Sequence, residues 1–178
     1  MSRTVLLNKN IIISILIIAA VITLAVVDQY AYRSDSSFTP QMTDETPFKT
    51  VDNLEGVTLR TTKGAYRYNV DEMIYSFKNK TGRQYTYGSE FYLEKFENGR
   101  WYQLSYAPSK FDGLWTMEGH PLKPDSVREE PLAFNWLYGN HLESGTYRLV
   151  KPIHLSGSKD SDIYYLTAVF KIRIFHFL

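Results

Sequence analysis

An uncharged apolar run from Ile11 to Val27 divides this chain into a part that can sit in a bilayer and a part that must fold outside it. As a helix its 17 residues rise about 25 Å, and Val5, Leu6 and Leu7 extend the apolar stretch toward the thickness of a hydrocarbon core. Ser14 and Thr23 are its only hydroxyl residues, and both can return hydrogen bonds to helix carbonyls. Arg3 and Lys9 precede the run and Asp28 follows it, so the positive-inside bias puts the N-terminus in the cytoplasm and everything after the run outside. A signal peptide would have a shorter apolar core ending at a small-x-small site. Ala25-Val26-Val27 is a poor site of that type, so the pattern favours an uncleaved, single-pass membrane anchor; cleavage would instead leave a secreted protein.

The remainder is long enough for one core and too short for two. Removing Arg3 and Lys9 leaves 18 of the 20 basic residues against 19 acidic ones. So balanced a domain lacks the dense positive field that neutralises phosphates, which argues against nucleic acid as a partner. Cysteine is absent, excluding disulfides, thiolate metal sites, cysteine nucleophiles and a lipidated cysteine. An exported domain of this size without disulfides is most easily placed in a bacterium. Residues 28–53 are rich in Ser, Thr, Asp and Gln, contain Pro40 and Pro47 and show no apolar periodicity; they read as a flexible linker between the anchor (1–27) and the domain (54–178).

Within that domain the clearest local signal is Glu90 to Leu104, where Asn98-Gly99 supplies the two positive φ angles of a type I′ hairpin turn. Pairing Glu97 with Arg100 puts Phe91, Leu93, Tyr102 and Leu104 on one face and Tyr92, Phe96 and Trp101 on the other. The first face is the better core candidate. Alternating apolar residues predict further strands at Val57, Leu59 and Thr61, at Met73, Tyr75 and Phe77, and at Leu166, Ala168, Phe170, Ile172 and Ile174. Together with 14 Tyr and an aromatic content of 15%, these short strands indicate an all-β sandwich.

Leu142-Glu-Ser-Gly-Thr-Tyr147 reads as a corner opening a late strand, with Gly145 at the bend and Tyr147 free to fold its hydroxyl back onto the corner. With a strand at Phe134-Asn-Trp136, the Tyr138-Gly139 step and the Asn98-Gly99-Arg100-Trp101-Tyr102 hairpin, it resembles the bacterial immunoglobulin-like domains of exported Firmicutes proteins over roughly Leu54 to Ile172. The chain departs from that pattern at Ser144, where the family often has proline. The resemblance implies an immunoglobulin-like antiparallel β-sandwich serving as a spacer or binding module, and implies no catalysis.

Candidate chemistry is sparse. His120, His141, His154 and His176 are too scattered for a helical ligand pair, and no hydrolase elbow, zinc-peptidase motif or phosphate loop is present. No metal or cofactor is expected. Glu129 and Glu130 are adjacent, so in an extended chain they point to opposite faces and cannot flank one glycosidic bond; before Pro131 they read as a solvated loop. Tyr92, Phe96 and Trp101 offer a platform for a sugar ring or a partner's apolar residues. The blander reading is that this face packs against the irregular stretch Ala107 to Arg128, which contains Phe111, Leu114 and Trp115. Irregular loops also carry binding residues, so Trp115 and His120 join the candidates. The expected function is a membrane-tethered, extracytoplasmic binding module for an envelope protein or cell-wall glycan. An envelope hydrolase with an unrecognised site and a structural spacer are the alternatives.

Overall fold

The computed structural model describes residues 17, 18, 20, 23, 38–70, 72–107, 115, 118–157 and 163–173. Among them no helix is long and apolar enough to cross a membrane, and most of the run Ile11 to Val27, like Phe111, Leu114, Ile174 and His176, lies outside the described residues.

The chain builds strands β1 (Met42–Glu45), β2 (Val57–Thr61), β3 (Ala65–Arg67), β4 (Met73–Asn79), β5 (Tyr85–Tyr87), β6 (Tyr92–Glu97), β7 (Arg100–Leu104), β8 (His120–Leu122) and β9 (Ser126–Leu132), one helical turn α1 (Asn135–Tyr138), then β10 (Gly145–Leu155) and β11 (Ile163–Arg173). Eight strands form one sheet along the path β1-β7-β6-β10-β11-β3, with β5 on β10 and β8 on β5; β2-β4-β9 form the other. Strict alternation along β2 and β4 buries Val57, Leu59, Met73, Tyr75 and Phe77. These meet Leu93, Leu149, Leu166, Ala168, Phe170 and Ile172 of the larger sheet in one core cluster, the arrangement of a sandwich.

The hairpin has the register its turn dictates: Glu97 pairs with Arg100 and Phe96 with Trp101, and Asn98 and Gly99 have φ of 49° and 83°. Phe91, Leu93 and Leu104 are buried on the inner face. At the late corner Tyr147 is 1% exposed and its hydroxyl donates to the Glu143 carbonyl at 2.8 Å. The sandwich is not wholly antiparallel, since β3 runs parallel to β11; the chain crosses from the small sheet to the large one between β2 and β3, which sets the direction of that edge strand.

Three sequence expectations are corrected. The Phe134-Asn-Trp136 segment is not a strand: it leads into α1, which buries Phe134, Leu137 and Tyr138 and leaves Trp136 43% exposed. Glu129 and Glu130 lie in β9 and His120 in β8, not in loops. Both strands are edges of their sheets, where Pro121 and Pro131 are tolerated because no neighbour needs their missing N–H.

Residues 38–53, assigned above to the linker, are built into the domain. β1 pairs with β7, and the chain then crosses the outer face of the large sheet as a strap. The Thr46 amide donates to the Trp101 carbonyl at 2.9 Å, Phe48 packs on Tyr92 and Tyr165 with ring centroids 5.0 and 4.7 Å away, and the Asp52 carboxylate accepts the Thr167 amide at 2.7 Å. Polar composition hides this segment because the strap sits on a core rather than in it.

Candidate functional site

Pro152 determines where the larger sheet opens. β10 pairs with β6 as far as Val150 and with β5 only from His154, so a proline that cannot donate to a ladder falls in the gap between partners. The chain from β5 to β6 passes this gap, and Lys151 fills it: its ammonium donates to the carbonyls of Gly88 at 2.7 Å and Glu90 at 2.6 Å. Lys151 has the inward parity of Tyr147, Leu149 and Ile153 and is 1% exposed. The rings of Tyr75 and Tyr87 lie 5.6 and 6.0 Å from it. Burial pushes its ammonium down to about 8, with Glu90 and Glu130 opposing the shift.

Above Lys151 is a cleft of about 240 Å³ whose lining includes Tyr87, His120, Glu130, Pro131 and Trp136. Glu130 Oε1 accepts hydrogen bonds from the Tyr87 hydroxyl at 2.8 Å and from Arg128 Nε at 2.6 Å. Burial alone would raise the Glu130 carboxyl, but these two donors outweigh it and hold the group below its ordinary range, as a carboxylate. Burial and that same carboxylate raise the Tyr87 phenol, which stays protonated as a donor. The His120 ring lies 5.6 Å from Tyr87. Trp136 projects from α1 because the alternative faces of that single turn are taken by buried Leu137 and Tyr138, and it meets Trp115 edge-on at 6.3 Å. Trp136, backed by Trp115, makes an aromatic wall of a recess of about 240 Å³ that also holds the oriented Glu130 acceptor, room for one small ring.

The residues singled out from sequence separate into three places. His120 lines the cleft and Trp115 touches one of its walls. Tyr92 is half-buried under the strap, beside Phe48 and Trp115, and its hydroxyl donates to the Glu90 carboxylate. Phe96 and Trp101 form a separate pair 5.0 Å apart on the outer face, with the Arg148 guanidinium 4.6 Å above the indole. Between them and Tyr92 lies Glu94, 0% exposed, whose Oε2 accepts Arg148 Nε at 2.6 Å. The three hairpin aromatics therefore form no single platform, and the strap covers the part near Tyr92.

Sequence reasoning did not single out Trp136 and Lys151, and it set Glu130 aside. For Lys151 a signal exists: a lysine at the inward position of an otherwise apolar alternation is a buried charge that needs partners. For Trp136 there is none, because a short apolar segment such as Trp136-Leu137-Tyr138 does not distinguish a strand from a helical turn. Among the described residues no group of three or more His, Asp or Glu is placed to hold a metal ion.

Residues 53–171 match the family model for the bacterial Ig-like domain. No curated protein matches the chain. Among solved structures, the Pseudomonas fluorescens alkylpurine DNA glycosylase AlkC bound to DNA with an abasic site analog is 8% identical, over 66% of this chain and 30% of its own, with a TM-score of 0.33. The β-glucosidase EmGH1 of Erythrobacter marinus is 11% identical over 66% of this chain and 15% of its own, also at 0.33. The β-glucosidase of Listeria innocua in complex with gluconolactone is 12% identical over 79% and 22%, at 0.30. The chain spans less than a third of each of these structures, and likeness at such TM-scores carries no argument about activity.

Proposed function

Because this chain belongs to the bacterial Ig-like domain family, we propose that it is a non-catalytic, extracytoplasmic binding module, tethered by Ile11 to Val27, whose cleft accepts one ring of an envelope glycan. The observation that carries this reading is the cleft itself, where the exposed Trp136 indole faces the same recess as the Glu130 carboxylate and His120. A sugar ring presents an apolar C–H face to an indole and hydroxyl donors to a carboxylate, so one aromatic wall and one fixed acceptor meet both of its needs. The ammonium of Lys151 beneath the cleft disfavours a cationic ligand.

Binding is favoured over hydrolysis by how the groups are engaged. Glycoside cleavage takes two carboxyl groups across one bond, whereas among the described residues the cleft lining contains one carboxyl group, that of Glu130. Lys151 is held by two backbone carbonyls instead of being presented as a nucleophile. A pure spacer has no use for an aromatic recess with an oriented carboxylate. Titration of the intrinsic tryptophan fluorescence with N-acetylglucosamine oligomers tests the reading. A saturable change is expected, weakened about tenfold, or roughly 1.4 kcal/mol, by Trp136→Ala or Glu130→Gln. No saturable response, or parental affinity in both variants, would refute it.

A further inference from the structure

The outer face of the small sheet carries a second surface. Alternation in β2, β4 and β9 turns Thr58, Arg60, Ile74, Ser76, Lys78, Val127, Glu129 and Pro131 away from the core. The register sets Lys78 between Thr58 and Val127, and Ser76 between Arg60 and Glu129. Lys80 follows two residues after Lys78, roughly 7 Å along the chain, and its amide is tied to the Gly56 carbonyl at 2.7 Å. A groove of about 420 Å³ is lined by Gly56, Thr58, Arg60, Ser76, Lys78, Lys80 and Val127. Three cations converge there, with no carboxylate among the described residues of the lining.

None of the ion pairs among the described residues uses Arg60, Lys78 or Lys80. Glu129 is the one carboxylate that these three strands put on the face. In a domain of almost balanced charge, an unpaired cluster of this kind is a local field that the fold leaves uncompensated. Beside it stand exposed apolar side chains, Val127 at 60% and Ile74 at 42%. Cations flanked by exposed aliphatic side chains suit the headgroup layer of an anionic bilayer, which attracts the first and accepts the second.

We propose that this face docks the domain onto anionic phospholipid of the membrane that holds its tether. The inference rests on the tether reading above. Only residues 28–37 separate the apolar run from the first described residue of the domain, a span of at most roughly 40 Å, so the domain cannot leave the neighbourhood of the lipid surface.

The chain has no cysteine, so Val127→Cys supplies one attachment point for a fluorophore, and Val169→Cys, 55% exposed on the outer face of the other sheet, supplies its control. The full chain is reconstituted into vesicles of phosphatidylcholine, with or without phosphatidylglycerol, that contain a headgroup quencher. Quenching at position 127 is expected only with phosphatidylglycerol, reversed by high salt and absent at position 169. Replacing Arg60, Lys78 and Lys80 together by glutamine should lower the docked-to-free ratio about a hundredfold, close to fivefold for each cation at roughly 1 kcal/mol. Equal quenching in both vesicles, or quenching indifferent to the triple replacement, would overturn the docking. So would a probe that responds to soluble polyglycerol phosphate over neutral vesicles and not to the anionic lipid. Flotation separates the two readings: a chain that fails to float with phosphatidylcholine vesicles refutes the tether and with it this docking, whereas one that floats unquenched refutes the docking alone.

Discussion

Two buried side chains show how single positions decide this domain's stability. Tyr147 fills space beside Phe170, with ring centroids 5.9 Å apart, and closes the corner through its hydroxyl. Tyr147→Phe should therefore keep the packing and lose about 0.5 to 1.5 kcal/mol, whereas Tyr147→Ala should lose about 3 to 5 kcal/mol by opening a cavity; urea melts of the three proteins measure both. Lys151 predicts a pH dependence. Its folded ammonium titrates near 8 against about 10.4 in an unfolded chain, so between those values the unfolded state binds more protons and stability rises with pH. The expected slope approaches about 1 kcal/mol per pH unit from pH 8 toward 10, above which the buried tyrosines begin to count in the opposite direction. Lys151→Met should abolish the slope, and a variant that retains it would assign the effect to another group. The same substitution leaves the carbonyls of Gly88 and Glu90 without their donor, so the variant should also be less stable at neutral pH.

The strap connects several elements that the hydrogen-bond ladders do not. It spans from β1 at one edge of the large sheet to β11, and on the way Thr46 Oγ1 accepts a hydrogen bond from Arg148 at 3.1 Å, over the buried pair that Arg148 makes with Glu94. A protein beginning at Asn53 retains the core strands but loses β1, the Phe48 ring contacts and the Asp52 cap, and is expected to be less stable than one beginning at Phe38 by about 2 to 4 kcal/mol. Comparison of the two denaturation midpoints checks this, and equal midpoints would make the strap dispensable. Under the strap, Glu94 Oε1 has no hydrogen-bond partner. Arg148→Met alone would leave that carboxylate buried and unpaired, a loss of about 3 to 5 kcal/mol, whereas Glu94→Leu with Arg148→Met should recover much of it. A double-mutant cycle measures the recovery, and strictly additive losses would mean that the pair is not coupled.

For the molecule as a whole, sequence-distant strands are partners: β3 at Ala65–Arg67 pairs with the end of β11 at Lys171–Arg173, and β4 lies between β2 and β9. Such closure pays most of its loop entropy before the core rewards it, so stopped-flow refolding of the domain is expected in about milliseconds to seconds, not microseconds. With no cysteine to cross-link the unfolded chain, stability rests on one core of aromatic and aliphatic side chains. The tether proposed for that domain makes its own prediction, that cell fractionation recovers the protein with membranes. Recovery from the medium with an N-terminus near Asp28 would identify the apolar run as a cleaved signal.

What the chain announces locally is what repeats every two residues. β2, β4, β6, β7 and β11, the Asn98-Gly99 turn and the burial of Tyr147 were all legible, because alternation and turn chemistry act between neighbours and survive any tertiary context that buries one face. The strap, α1 and the cleft were not. Residues 46–52 are ordered by aromatic and hydrogen-bonding partners drawn from β6, β10 and β11. The turn at Asn135–Tyr138 stops at Gly139, whose φ is 73° and where an added Cβ would lie 2.3 Å from the Phe38 carbonyl oxygen, a constraint set about a hundred residues away. The cleft joins β5, β8, β9, β10 and α1 across a gap that opens because Pro152 lacks an N–H. Local sequence determined the strands whose alternation is strict and the faces they bury; the packing of distant segments decided the edge strands β1, β8 and β9, where the sheet opened and which aromatic stood beside which carboxylate, because those contacts depend on three-dimensional closure and leave no periodic trace in the chain.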